Sequence, residues 1–120
     1  MKLMIAGSRE IDSIDISKYI PKNTTIILSG GAKGVDLLAE NYADKHNLSK
    51  IILRPQYSLY GKAAPLKRNE ELVAISDKIL VFWNGVSKGT KHTINYAKKL
   101  NKDLEIVIIQ KIPAKKSLQE

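Results

Sequence analysis

Three stretches of this chain follow predicted strands with small or polar residues, two of them directly before a predicted helix start, and their shared chemistry is anion binding. The longest is Ser29-Gly30-Gly31-Ala32-Lys33-Gly34-Val35-Asp36. Gly30, Gly31, Ala32 and Gly34 remove side-chain bulk where a helix begins, exposing first-turn N–H groups whose partial positive charge favours an anion. The spacing is neither the G-x-G-x-x-G of dinucleotide folds nor a Walker A motif, which excludes an ATPase phosphate loop. Asp36 falls in the first helical turn, either as a cap or as an acceptor for a ribose hydroxyl. A second stretch, Asn84-Gly85-Val86-Ser87-Lys88-Gly89-Thr90-Lys91, repeats the pattern. Here Ser87 and Thr90 offer hydroxyls, Gly89 permits close approach and Lys91 adds charge. A third, Gly7-Ser8-Arg9, combines a turn-forming glycine, a hydroxyl and a planar guanidinium suited to phosphate.

Between these lies Arg54-Pro55-Gln56-Tyr57-Ser58-Leu59-Tyr60-Gly61-Lys62-Ala63. Long connections in compact domains are usually functional. Tyr57 and Tyr60 are either stacking faces for a base or covers for a sheet edge, and Lys62, Arg68 and Asn69 supply polar contacts. Trp83, ending a predicted strand, reads as a core or pocket wall. The two histidines, His46 and His92, make no catalytic triad or metal cluster. His46 falls on the apolar stripe of its helix and reads as a core residue; Glu40 and Asp44 read as exposed charges. With no cysteine in the chain, disulfides, thiolate metal sites and a cysteine nucleophile are excluded.

The elements that must position these loops follow from apolar period. Short β-branched runs at Lys2–Ala6, Thr24–Ser29, Lys50–Leu53, Lys78–Trp83 and Leu104–Gln110 are nearly continuous in apolar residues, as strands covered on both faces should be. Helical spacing appears at Ser13–Ile20 (weakly), Val35–His46, Ala64–Ser76 and Thr90–Asn101, with Leu66, Leu72, Val73, Ile75 and Leu100 facing inward. This alternation predicts an α/β chain: a single Rossmann-like three-layer domain with a parallel five-stranded sheet in the order 3-2-1-4-5. In that order the glycine-bearing loops gather beyond the carboxyl ends of the strands, where the chain reverses direction across the sheet. The domain is expected to span residues 1–112, with 113–120 a flexible basic tail.

The 120 residues carry a net charge of +8. From Lys88 onward eight lysines stand against three acids, so the surplus concentrates in the last quarter. Such a surface attracts phosphates, whether of a nucleotide or a nucleic acid, or else is only a solvated face. No apolar run reaches the ~20 residues of a membrane helix, and Met1–Gly7 is too short for a secretory core, so a cytoplasmic protein without membrane partners is expected.

The chain resembles the SLOG superfamily, the Rossmann-like group joining LOG phosphoribohydrolases with SMF/DprA proteins, and within it the YspA/YpsA-related DUF2493-type branch. The words that carry the resemblance are Ala6-Gly7-Ser8-Arg9, Ser29-Gly30-Gly31-Ala32-Lys33-Gly34-Val35-Asp36, Tyr60-Gly61-Lys62-Ala63-Ala64 with Arg68-Asn69, and Phe82-Trp83-Asn84-Gly85 with Ser87-Lys88-Gly89-Thr90-Lys91. It implies a site for a nucleotide or nucleotide-derived ligand, NAD- or ADP-ribose-like or a nucleoside phosphate, lined by these loops, with no further cofactor required. LOG enzymes carry a glutamate three residues beyond the Gly-Thr of their fourth-strand loop, and here Thr93 stands there, so glycosidic cleavage would need another acid, of which Asp36 is the candidate. Three readings follow: a binding module acting as sensor, carrier or sequestering protein; a nucleosidase or phosphoribohydrolase; and a nucleic-acid binder resembling DprA. A homodimer is implied by the dimeric LOG proteins.

Overall fold

The computed structural model describes residues 1–110. Five parallel strands, β1 (Lys2–Gly7), β2 (Ile26–Ser29), β3 (Ser49–Ile52), β4 (Lys78–Trp83) and β5 (Asp103–Ile108), form one sheet in the order β3-β2-β1-β4-β5. This is the predicted order. β1 and β4 lie side by side at the centre, in register from Leu3 opposite Lys78 to Gly7 opposite Phe82.

Alternation along the central strands divides the core. Leu3, Ile5, Ile27, Leu80 and Phe82 pack on one face beneath Val35, Ala39 and Ala43 of α1 (Val35–Lys45). Met4, Leu28, Ile79 and Val81 pack on the other. Two helices cover that second face: α3 (Ala64–Ile75), which contributes Leu72 and Val73, and α4 (Lys88–Lys99), which contributes Ile94 and Ala97. Strands buried on both sides explain the unbroken apolar runs. A short helix, α2 (Tyr57–Tyr60), lies in the long connection that was expected to be loop throughout.

The predicted helix at Ser13–Ile20 is not formed; the segment holds only a 3₁₀ turn at Ser17–Tyr19. The Asp15 carboxylate accepts from the Ser17 N–H at 3.0 Å and from the Ser17 hydroxyl, a local arrangement that competes with helical bonding. Ile11 and Ile16 still enter the core from this connection, so the apolar spacing reports burial without helix. The ends of the elements that do form lie within two residues of expectation, as end-fraying and capping allow. His46 is exposed: it caps α1 and stacks on Tyr42 with ring centroids 4.1 Å apart. Leu66, Ile75 and Leu100, expected to face inward, are each more than a third exposed. The expected basic tail, 113–120, lies outside the described residues. Among the described residues, no helix is long and apolar enough to cross a membrane.

Candidate functional site

A cleft of about 770 Å³ opens at the carboxyl ends of β1 and β4. Connections leave these neighbouring strands toward opposite faces of the sheet, the arrangement in which open α/β sheets leave a crevice. From the three glycine-bearing loops come Gly7, Ser8 and Arg9, then Ala32 and Asp36, then Asn84, Ser87, Gly89 and Thr90. Arg68 and Asn69 of α3 complete the expected set that lines it. The starts of α1 and α4, 53 residues apart in sequence, thus flank one space.

Arg68 is 93% buried, with 7% of its surface exposed. Its Nη1 donates to the Gly30 carbonyl and, at 3.1 Å, to the Leu53 carbonyl, while Nε donates to Asn69 Oδ1 at 2.8 Å. Nη2 has no protein acceptor among the described residues, and it is not among the buried atoms lacking a partner. Burial pushes the guanidinium's pKa down and Asp36 opposes this; an arginine nonetheless stays charged at neutral pH. A cation fixed on two nitrogens with the third unclaimed is preorganised for an anion, because its rotamer entropy is already spent in folding.

Asp36 is nearly as buried and accepts from the Ala32 N–H at 3.1 Å, so it ties the glycine loop to the first turn of α1. Burial pushes its carboxyl pKa above the ordinary value, against the Ala32 N–H and Arg68, which stabilise the charge. A raised native pKa means that the folded state holds the proton more tightly than the unfolded chain, so stability falls as pH rises from about 4 through the native value. Asp36→Asn is therefore expected to match or exceed the wild type's melting temperature at pH 7, with the difference shrinking as the pH approaches 4. Paired melting curves across that range test this, and a variant markedly less stable at pH 7 would contradict it.

At the α4 side, Asn84 organises the turn. Its Oδ1 accepts from the Val86 and Ser87 N–H groups at 2.9 Å each, its Nδ2 donates to Glu10, and its own N–H donates to the buried Ser8 hydroxyl at 3.2 Å. Ser87 is the N-cap of α4, accepting from the Thr90 N–H at 3.5 Å. Gly89, the second residue of α4, has no positive φ, and a Cβ built on it meets nothing within 4 Å. Neither packing nor backbone conformation requires glycine there.

The other loop glycines answer to the protein itself. A Cβ on Gly30 would meet the Arg68 guanidinium at 2.6 Å, and one on Gly31, at φ +71°, would meet Arg54 at 2.6 Å. Gly30, Gly31, Gly34 and Ser29 lie outside the cleft lining. Ser29 bonds to Glu40 at 3.4 Å, so Glu40 is half-buried behind the loop, where an exposed charge was expected. Tyr60 and Lys62 are exposed and also lie outside the lining. The Trp83 indole donates to the Ser87 carbonyl at 3.1 Å, and Lys91 sits over its ring at 5.8 Å, so this pair props the α4 turn without lining the cleft.

Glu10, Asp12, Lys33, Pro65, Leu66 and Thr93 line the cleft without having been expected to. Thr93 was legible, since it stands three residues after Thr90 on the same helix face. Pro65 and Leu66 follow from placing the start of α3 at the cleft, which only the folded connection decides. The cleft therefore carries both signs: Arg9, Lys33 and Arg68 against Glu10, Asp12 and Asp36. No group of side chains suited to holding a metal ion occurs among the described residues.

Searches against protein-family models, curated proteins and solved structures gave no match for this chain. Architecture and strand order make it a parallel five-stranded Rossmann-like α/β domain with its cleft at the crossover point of the sheet.

Proposed function

We propose that this protein binds a small nucleotide or nucleotide-derived anion, NAD- or ADP-ribose-like or a nucleoside phosphate, in the β1–β4 cleft, as a sensor, carrier or sequestering module of the SLOG kind. The observation that carries this reading is Arg68, a buried cation fixed by three hydrogen bonds at the wall of a cleft that also receives the start of α4. Phosphate oxygens are placed against Arg68 Nη2 and the first-turn N–H groups of α4, with the hydroxyls of Ser8, Ser87 and Thr90 nearby. Asp36 and Asn69 are the acceptors left for sugar hydroxyls.

Thermal denaturation with millimolar AMP and ADP-ribose tests this, since any ligand of the native state raises the melting temperature. No shift with either would overturn it. Gly89→Ala separates ligand from fold. A glycine in a helix costs roughly 0.5–1 kcal/mol relative to alanine, less near the end. The variant is expected to melt at or slightly above the wild type without ligand and to bind AMP at least tenfold more weakly, because the added methyl occupies the space where phosphate meets backbone. Unchanged affinity would remove α4 from the site.

A hydrolase reading rests on Asp36, whose buried carboxyl lines the cleft and is shifted toward holding its proton. Free base released from AMP by the wild type, and lost in Asp36→Asn, would favour it over a binding module.

A further inference from the structure

Every residue from Gln56 to Ala63 is exposed, an unusual run in a folded domain of this size. It includes large apolar side chains: Tyr57 is 59% exposed, Leu59 66% and Tyr60 38%. The chief contacts of α2 are with the 3₁₀ turn Gly61–Ala63 and with α3, and not with the sheet. Within the run, Gly61 takes φ +55° and a Cβ built on it meets nothing within 4 Å, so that side of the run faces open space. Its bonds are local, Leu59 and Tyr60 donating to the Gln56 carbonyl.

Both roots of this run are fastened to the cleft. Before it, Arg54 Nη1 donates to the Gly31 carbonyl at 3.1 Å, and the Leu53 carbonyl accepts from Arg68. After it, Ala64 is fully buried, and the next two residues, Pro65 and Leu66, line the cleft. Leu66, 36% exposed, belongs to the cleft wall as well as to the set of exposed apolar side chains. The run carries a single charge, Lys62, of the sign an anion requires.

We propose that residues 56–63 form a flap that closes over ligand held in the cleft, with Tyr57 and Tyr60 stacking on a planar ring. The flap thereby selects ring-bearing anions over bare sugar phosphates. This rests on the cleft being an anion site, and it gives a role to two exposed tyrosines that lie outside the cleft lining. A ring sandwiched by aromatic side chains gives those side chains a partner in exchange for water, with stacking worth enough per base to change affinity about tenfold.

The test compares AMP with ribose 5-phosphate by calorimetric titration, on the wild type and on a Tyr57→Ala/Tyr60→Ala variant. Both substituted side chains are exposed, so folding should survive, and melting curves check it. AMP affinity is expected to fall about tenfold in the variant while ribose 5-phosphate affinity stays within twofold. In the wild type, AMP should slow amide exchange across 56–63. Binding of AMP with no loss in the double variant, or with unprotected flap amides, overturns the flap and leaves the cleft reading intact. If neither compound binds the wild type, the flap falls, and the cleft reading falls with it when ADP-ribose also leaves the melting temperature unchanged. A wild-type dimer that dissociates in the variant, with AMP affinity unchanged, would assign the exposed apolar side chains to a second copy of the chain and overturn the flap.

Discussion

Arg68→Ala is expected to destabilise the protein by about 2–4 kcal/mol, since losing the donor leaves the Gly30 and Leu53 carbonyls to be satisfied by water or not at all. In a domain of this size that lowers the melting temperature by roughly 10–20 °C. Arg68 ties the glycine loop after β2 to the segment just beyond β3, and it does so from α3. Its loss also strips Asp36 of a neighbouring cation, leaving a buried carboxylate less compensated. Arg68→Lys keeps the charge but replaces a planar fork with one ammonium, which cannot reproduce bonds to Gly30, Leu53 and Asn69 together. It should recover less than half of the loss. Denaturant unfolding of the three proteins measures this, and an alanine variant within 1 kcal/mol of the wild type would show that water replaces the guanidinium freely. Ligand affinity should fall in both variants, because neither presents a fixed guanidinium to the cleft.

Gly34→Ala is expected to cost about 3 kcal/mol or more. Gly34, the N-cap of α1, adopts φ 77° and ψ −129°, a region essentially closed to residues with a Cβ. Space is lacking too, since a Cβ there would stand 2.3 Å from the Arg9 carbonyl oxygen and 2.7 Å from the Arg9 Cα. These are backbone atoms, which cannot rotate aside. Relief must come from moving the loop after β1 away from the start of α1, and both line the cleft. Stability and ligand affinity should therefore fall together, whereas Gly89→Ala separates them. Chemical unfolding with AMP titration on the two variants makes the comparison; a Gly34→Ala protein as stable as wild type would mean that the two loops are not held against each other.

The glycines show where sequence reading ran out. A cluster of small residues before a helix looks the same whether it makes room for a ligand or for the protein's own arginine. Gly30 makes room for Arg68 and Gly34 for the Arg9 backbone; Gly89 has open space around it, as Gly61 and Gly85 do, but without the positive φ that those two adopt. Trp83 was expected as a core or pocket wall and Lys91 as a charge for the ligand, but strand alternation and the cation–π contact set both outside the cleft lining. His46 misled because the stripe of α1 ends one turn before it, at Ala43, and a terminal residue has no layer left to bury it.

What this sequence determined by itself was the succession of the five strands and the three longer helices, the strand order and the gathering of three loops at one end of the sheet. Backbone hydrogen bonding and apolar period act over a few residues, and right-handed crossovers leave few ways to join parallel strands. Tertiary structure alone decided which side chains meet. Arg68 reaches a carbonyl 38 residues away because α3, packed on the sheet, brings its side chain to the loops that follow β2 and β3, and nothing within one turn of Arg68 encodes that partner. Such contacts depend on how layers pack, a property of the whole domain, and on them rests whether the cleft holds a fixed positive charge.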